Sequence, residues 1–277
     1  MLRKNPTVDA EIGFLAPNSS RRPIFHDLPC SDDFLPLKQH RVTISALRDK
    51  RESYKLDTHG VEILNASGLD IDRPLDLPRL TYLRMLEQIV TGSTGASCVM
   101  ALGNGVVRRS ERARRHLHDG TTVLGRFAHC DFSRSPAGSS LWVQKMLGAD
   151  DARKRLARRY AIYNVWQSIS EPPQDTPLAF CDPASVEPSD AVGCDQVIHA
   201  PSGERVPFEL QLYRYAATQR WFYFPDLRCG ELLVFTGYDS DAERPQGIAH
   251  AAFTDPSCPA DATPRESIDE RLIAFFD

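Results

Sequence analysis

At 277 residues, with 42% hydrophobic and 25% charged side chains, the chain can bury a sizeable core. A formal charge of −4 gives no overall pull toward nucleic acid or an anionic membrane surface, and no window approaches a membrane-spanning apolar run. Seven cysteines without a C-x-x-C spacing argue against structural zinc and for reduced thiols in a cytoplasmic protein.

Residues 1–40 are rich in Pro, Ser, Asn and Asp and read as an N-terminal arm packed on the core, with residues 41–277 as one domain. RVTISALRD (41–49) alternates Val42 and Ile44 with polar neighbours, a strand signal. LPRLTYLRMLEQIV then reads as a helix. Pro78 stands in its first turn, Leu80, Leu83, Leu86, Ile89 and Val90 form its stripe, and Gly92 and Gly95 stop it. RRSERARR (108–115) is a basic patch, and a second helix with a solvated basic face is predicted over 150–160.

The other apolar runs are short and rich in Val, Ile, Phe, Tyr and Trp. They are ASCVMAL, FAHCDF, YAIYNVWQSI, PLAFCD, DQVIHA, VPFELQLYRYA, RWFYFPDL, LLVFTGYDS, HAAFTD and ERLIAFF. Gly, Pro, Asp and Ser clusters separate them, as between strands. Ten short strands with two helices do not alternate as βαβ units would. The fold class is therefore mainly β with flanking helices, a two-sheet antiparallel jelly roll.

Within FAHCDF, His129 and Asp131 point to one face of a strand while Cys130 points away. That suits two ligands of one metal and disfavours a working His–Cys pair. Two histidines and a carboxylate make a face that binds ferrous iron and leaves positions open. His250, at the start of HAAFTD, is well placed to be the third ligand, and His199 stays an alternative. His116, His118 and Asp119 form a competing cluster in an Arg-rich loop. Arg265 and Ser267 form an R-x-S that could hold a carboxylate through a charge-assisted pair and a hydroxyl, with Arg271 as a second candidate. Arg108 and Arg109 suit a substrate anion or a sheet edge. Tyr213, Tyr215, Trp221 and Tyr223 suit the core or a substrate pocket.

In chain order come Val107-Arg108-Arg109-Ser110, His129-Cys130-Asp131, Asn164-Val165-Trp166, Pro177 to Asp182, Arg220 to Phe224, Tyr238-Asp239-Ser240, His250 to Phe253 and Arg265 to Arg271. Together they resemble the fungal and bacterial hydroxylase/desaturase family that includes gibberellin desaturase-like enzymes and relatives of the cephalosporin 7-methoxylase chain. The resemblance runs from about residue 12 to the C-terminus. It implies a cupin-like double-stranded β-helix and an Fe(II)/2-oxoglutarate-dependent dioxygenase of secondary metabolism. Such an enzyme hydroxylates, desaturates or oxidatively cyclises a small molecule with O2. It further implies iron on His129, Asp131 and His250, and 2-oxoglutarate on Arg265 and Ser267 or Arg271, beside Asn164 and Trp166. Gln167 stands where the family carries a basic residue, which points to a different substrate contact.

Two rival readings remain. One is a catalytically inactive jelly roll that binds a small molecule or regulates, and the intact triad speaks against it. The other is a thiol hydrolase using Cys130, which the strand geometry disfavours. No nucleic-acid or membrane partner is expected. Oligomeric state is open, with a homodimer as one option.

Overall fold

A computed structural model of the chain describes residues 7–17, 19, 21–26, 30–69, 71–103, 105–114, 124–199 and 205–277. The described strands are β1 (Thr7–Leu15), β2 (Ile24–His26), β3 (Leu37–Ala46), β4 (Val61–Asn65), β5 (Cys98–Ala101), β6 (Val106–Arg109), β7 (His129–Cys130) and β8 (Tyr160–Ser168). They continue with β9 (Leu178–Cys181), β10 (Ala191–His199), β11 (Arg205–Tyr213), β12 (Trp221–Tyr223), β13 (Glu231–Asp239), β14 (His250–Ala252) and β15 (Glu266–Phe275). The helices are α1 (Leu56–His59), α2 (Arg79–Thr94), α3 (Glu111–Arg114), α4 (Pro136–Leu147) and α5 (Ala149–Leu156).

Two sheets carry the fold. The larger runs β1-β3-β12-β9-β14-β7-β11-β10-β2, and the smaller runs β4-β13-β8-β15-β5 with β6 also on β15. Every pairing is antiparallel except β12 with β3 and β10 with β2. This mainly β jelly roll matches the fold class expected from the short aromatic runs. Residues 1–40, expected as an arm, supply β1 and β2 and the start of β3 to the larger sheet. Gly13 donates to the Arg126 carbonyl at 2.9 Å and accepts from the Ala128 amide at 2.8 Å, so β1 folds back onto the approach to β7 and curls the sheet. A Cβ there would stand 3.2 Å from that carbonyl, which is why a glycine fits the close approach.

Side-chain alternation sorts the core. Trp166, Leu233 and Phe235 of the smaller sheet meet Leu178, Phe180, Phe222 and Phe224 from the larger-sheet side in a layer between the sheets. The opposite face of the larger sheet packs Phe14, Ile44, Cys130, Tyr213, Trp221, Tyr223 and Phe253 inside its own curl. Helix α2 covers the outer face of the smaller sheet through Tyr82, Leu86 and Val90. Its stripe is rotated from the expected one. Leu80 is exposed, because Tyr82 rather than Leu80 finds a partner, the buried Gln167. The helix runs past Gly92 to Thr94, where Gly95 closes it at φ 69° in the left-handed region. Helix α4, which the sequence reading left out, carries no strong apolar stripe to announce it.

Candidate metal centre

Three candidate ligands converge between the sheets. His129 lies on β7 directly opposite His250 on β14, with ring centroids 4.3 Å apart. Asp131 follows just beyond β7, and its Oδ1 is 3.7 Å from His129 Nε2. One ligand atom from each of the three lies within 4.8 Å of the others. Both imidazoles are oriented by backbone. His129 Nδ1 donates to the Phe127 carbonyl at 2.8 Å, and His250 Nδ1 donates to the Ile248 carbonyl at 3.2 Å. Each ring is thereby left with its Nε2 lone pair free. Burial, reinforced by His250, pushes His129 down to about 3, so the ring is neutral at ordinary pH. Gly125 makes room for that ring, since a Cβ would stand 2.7 Å from His129 Cε1.

Burial alone would raise the Asp131 carboxyl, but the nearby basic groups together, the Arg271 guanidinium foremost, outweigh it and hold the acid well below the usual range. Two neutral imidazoles and an ionised carboxylate are the donor set that suits a divalent iron ion. These residues therefore fit such a metal.

Arg265 enters the same cavity just ahead of β15. It is 2% exposed, and among the described residues its side-chain N–H groups meet only neutral acceptors, the Ser267 hydroxyl at 3.2 and 3.1 Å and the Thr176 carbonyl at 3.1 Å. Its guanidinium lies 5.1 Å over the Trp166 ring. Burial, then Arg108, brings its pKa down to about 9, so it stays charged near neutral pH. A buried cation with neutral partners fits an incoming carboxylate. The Trp166 Nε1 donor at the cavity wall also has no partner among the described residues. Leu178 and Phe235 complete the apolar wall.

The other expected site residues divide. Arg108 lines the cavity and Asn164 donates to Asp131 Oδ2 at 2.6 Å. Arg271 is engaged with that same oxygen at 3.0 and 2.7 Å, so it backs the carboxylate instead of facing a co-substrate. Gln167 points to the outer face, bonding Tyr82 and the Ile71 and Cys229 carbonyls, because alternation that turns Trp166 inward turns its neighbour outward. Arg109 pairs with Glu266 at 2.6 Å. Tyr213, Trp221 and Tyr223 pack in the curl of the larger sheet, and Tyr215 stacks on His40 at the surface. None of these five lines the cavity. Cys130 faces the curl, donates to the Gly237 carbonyl at 3.3 Å and is pushed by burial up to about 12, which removes it as a nucleophile. His116, His118 and Asp119 lie outside the described residues.

Sequence reasoning missed Asp269 and Gly125. Asp269 is 6% exposed and lines the cavity, and continuing the alternation of Arg265 and Ser267 along β15 would have found it. Nothing in the local sequence marks Gly125.

Comparisons with known proteins agree on one group. A family model described as YDMC, oxidoreductase/YMDC permease-like domain, matches residues 14–275. The chain is 29% identical over 242 residues to the Fe(II)/2-oxoglutarate-dependent dioxygenase nvfI of Aspergillus novofumigatus, covering 85% of this chain and 83% of that one. It is 27% identical over 282 residues to the alpha-ketoglutarate-dependent dioxygenase tstK of Talaromyces stipitatus, covering 98% of both. Among solved structures, the iron and alpha-ketoglutarate-dependent endoperoxidase NvfI superposes with a TM-score of 0.79 at 26% identity over 98% of both chains.

Proposed function

This chain belongs to the YDMC oxidoreductase family and is an Fe(II)/2-oxoglutarate-dependent dioxygenase related to fungal hydroxylase/desaturases, and on that premise we propose residue roles for its site. His129 and His250, through Nε2, and Asp131, through Oδ1, would hold Fe(II). Arg265 and Ser267 would bind the far carboxylate of 2-oxoglutarate, with Trp166 beside them. The observation that carries this reading is the buried Arg265 guanidinium, which has only neutral partners among the described residues and shares a cavity with the His-Asp-His cluster. The bound group supplies oxidation of a substrate C–H bond by O2, coupled to decarboxylation of 2-oxoglutarate to succinate.

The protein's own part is positional. Backbone carbonyls fix both imidazole tautomers, and Leu178, Phe235 and the Trp166 ring keep bulk water from the reacting centre. The substrate is a small molecule, and hydroxylation, desaturation or oxidative cyclisation are the outcomes this chemistry allows. The seven cysteines form no disulfide among the described residues, and we place the protein in a reducing, cytoplasmic setting on that ground.

Anaerobic addition of Fe(II) and then 2-oxoglutarate tests the assignment. A weak visible charge-transfer band is expected. His129→Ala should abolish it, and Cys130→Ala should leave it. No band, with iron binding indifferent to 2-oxoglutarate, would overturn the reading.

A further inference from the structure

Asp131 differs from the two histidines in how it is held. Its Oδ2 accepts three N–H bonds, from Asn164 Nδ2 at 2.6 Å and from Arg271 Nε and Nη2 at 3.0 and 2.7 Å. Arg271 and Asn164 face each other directly across β15 and β8. The smaller sheet therefore grips a side chain that the larger sheet delivers. Arg271 is steadied in turn by Asp269 Oδ2 at 3.4 Å. A carboxylate accepts only, so the Asn164 amide must turn its NH2 toward Asp131, and its Oδ1 is left without a partner.

We infer that Arg271, with Asn164, is a positioning residue that ties up Asp131 Oδ2 and presents Oδ1 alone to the metal. The inference rests on the iron site proposed above. A carboxylate free at both oxygens can chelate a cation through both. With three donors already on Oδ2, Asp131 is restricted to one coordination position and one orientation, and the position a second oxygen would take stays open for O2. This moves Arg271 from co-substrate anchor to keeper of a ligand, a division of labour with Arg265 just ahead of the same strand.

Mn(II) serves as the probe, since it binds without turnover. Its affinity is read by electron paramagnetic resonance titration. The 2-oxoglutarate affinity of the Mn(II)-saturated protein is read by calorimetry. Arg271→Gln should weaken Mn(II) about 10–100-fold while leaving 2-oxoglutarate affinity at saturating metal unchanged. Arg271→Lys, which keeps the charge and one donor direction, should fall between wild type and Arg271→Gln. Arg265→Gln should show the reverse pattern. If Arg271→Gln fails to fold, Asn164→Ala carries the same expectation for Mn(II), and an unchanged affinity there would overturn the inference. Arg271→Gln with normal Mn(II) affinity and lost 2-oxoglutarate binding would overturn it too. A wild-type protein that binds no Mn(II) would overturn the proposed iron site and this inference with it.

Discussion

Gly125 shows how little material decides the ligand geometry. Its missing Cβ is the space that the His129 ring occupies. Gly125→Ala should push the ring off its axis, because the ring is the movable partner. Metal affinity should drop about tenfold, in the range seen when a ligand's orientation is disturbed, with little change in Tm. Mn(II) titration beside thermal unfolding checks both halves. At this scale the sequence was readable where alternation applies. His129, Asp131, His250 and Arg265 come together in one cavity, Ser267 sits behind Arg265, and Cys130 turns away from them. Gln167 was expected at a substrate contact from its place after Asn164-Val165-Trp166, and the structure turns it outward, because a motif position does not say which face of the strand is inner. Arg271 shares a face with Arg265, and only the reach of Asp131 from the other sheet separates their roles. Long-range proximity of that kind leaves no mark on local spacing.

Among the elements, β15 carries the most work. Its Ser267, Asp269 and Arg271, and Arg265 just ahead of it, face inward, while Ile268, Glu270 and Leu272 face α2. Glu270 is 1% exposed, and Arg79 at the start of α2 closes on it through two bonds, one from Nη2 at 2.7 Å. Burial raises the Glu270 carboxyl above its ordinary range even with Arg79 opposing. It therefore binds its proton more tightly folded than unfolded, and its contribution to stability falls as pH rises above that range. Arg79→Ala should cost about 3 kcal/mol at neutral pH by leaving a buried charge uncompensated. The loss should be smaller near pH 5, where Glu270 can take up its proton. Urea unfolding at the two pH values decides it. The expected stripe on α2 failed at Leu80 for a related reason, since periodicity marks a helix but the polar partners beneath it set its rotation.

Across the molecule, the three residues proposed to hold the metal lie on or just past strands of the larger sheet, and the proposed co-substrate anchor lies just ahead of β15 in the smaller. Occupying both should clasp the sheets together. With metal saturating, 2-oxoglutarate at a hundred times its Kd should add about 2.7 kcal/mol of stability. Calorimetry should show this as a rise in Tm that Arg265→Gln removes. The jelly roll itself was legible in the count of short aromatic runs between turn clusters. The strand at 7–15 was hidden in a Pro- and Asp-rich stretch, because β1 owes its place to its partner β3 and to the Gly13 approach rather than to its own composition.

The wide spacing of the site along the chain also bears on how the protein is made. His129 emerges early, but His250 and Arg265 are translated long after it. At ribosomal rates the interval is about six to twenty-seven seconds. Throughout that time the nascent chain offers an imidazole and a carboxylate without the proposed third ligand, without Arg271 and without the β15 strand that carries it. On the proposed ligand set, stable iron binding waits until His250 and Arg271 have been made. A growing chain that cannot complete its ligand set cannot hold a redox-active ion in a half-built pocket, where stray oxidation would fall on its own unshielded thiols.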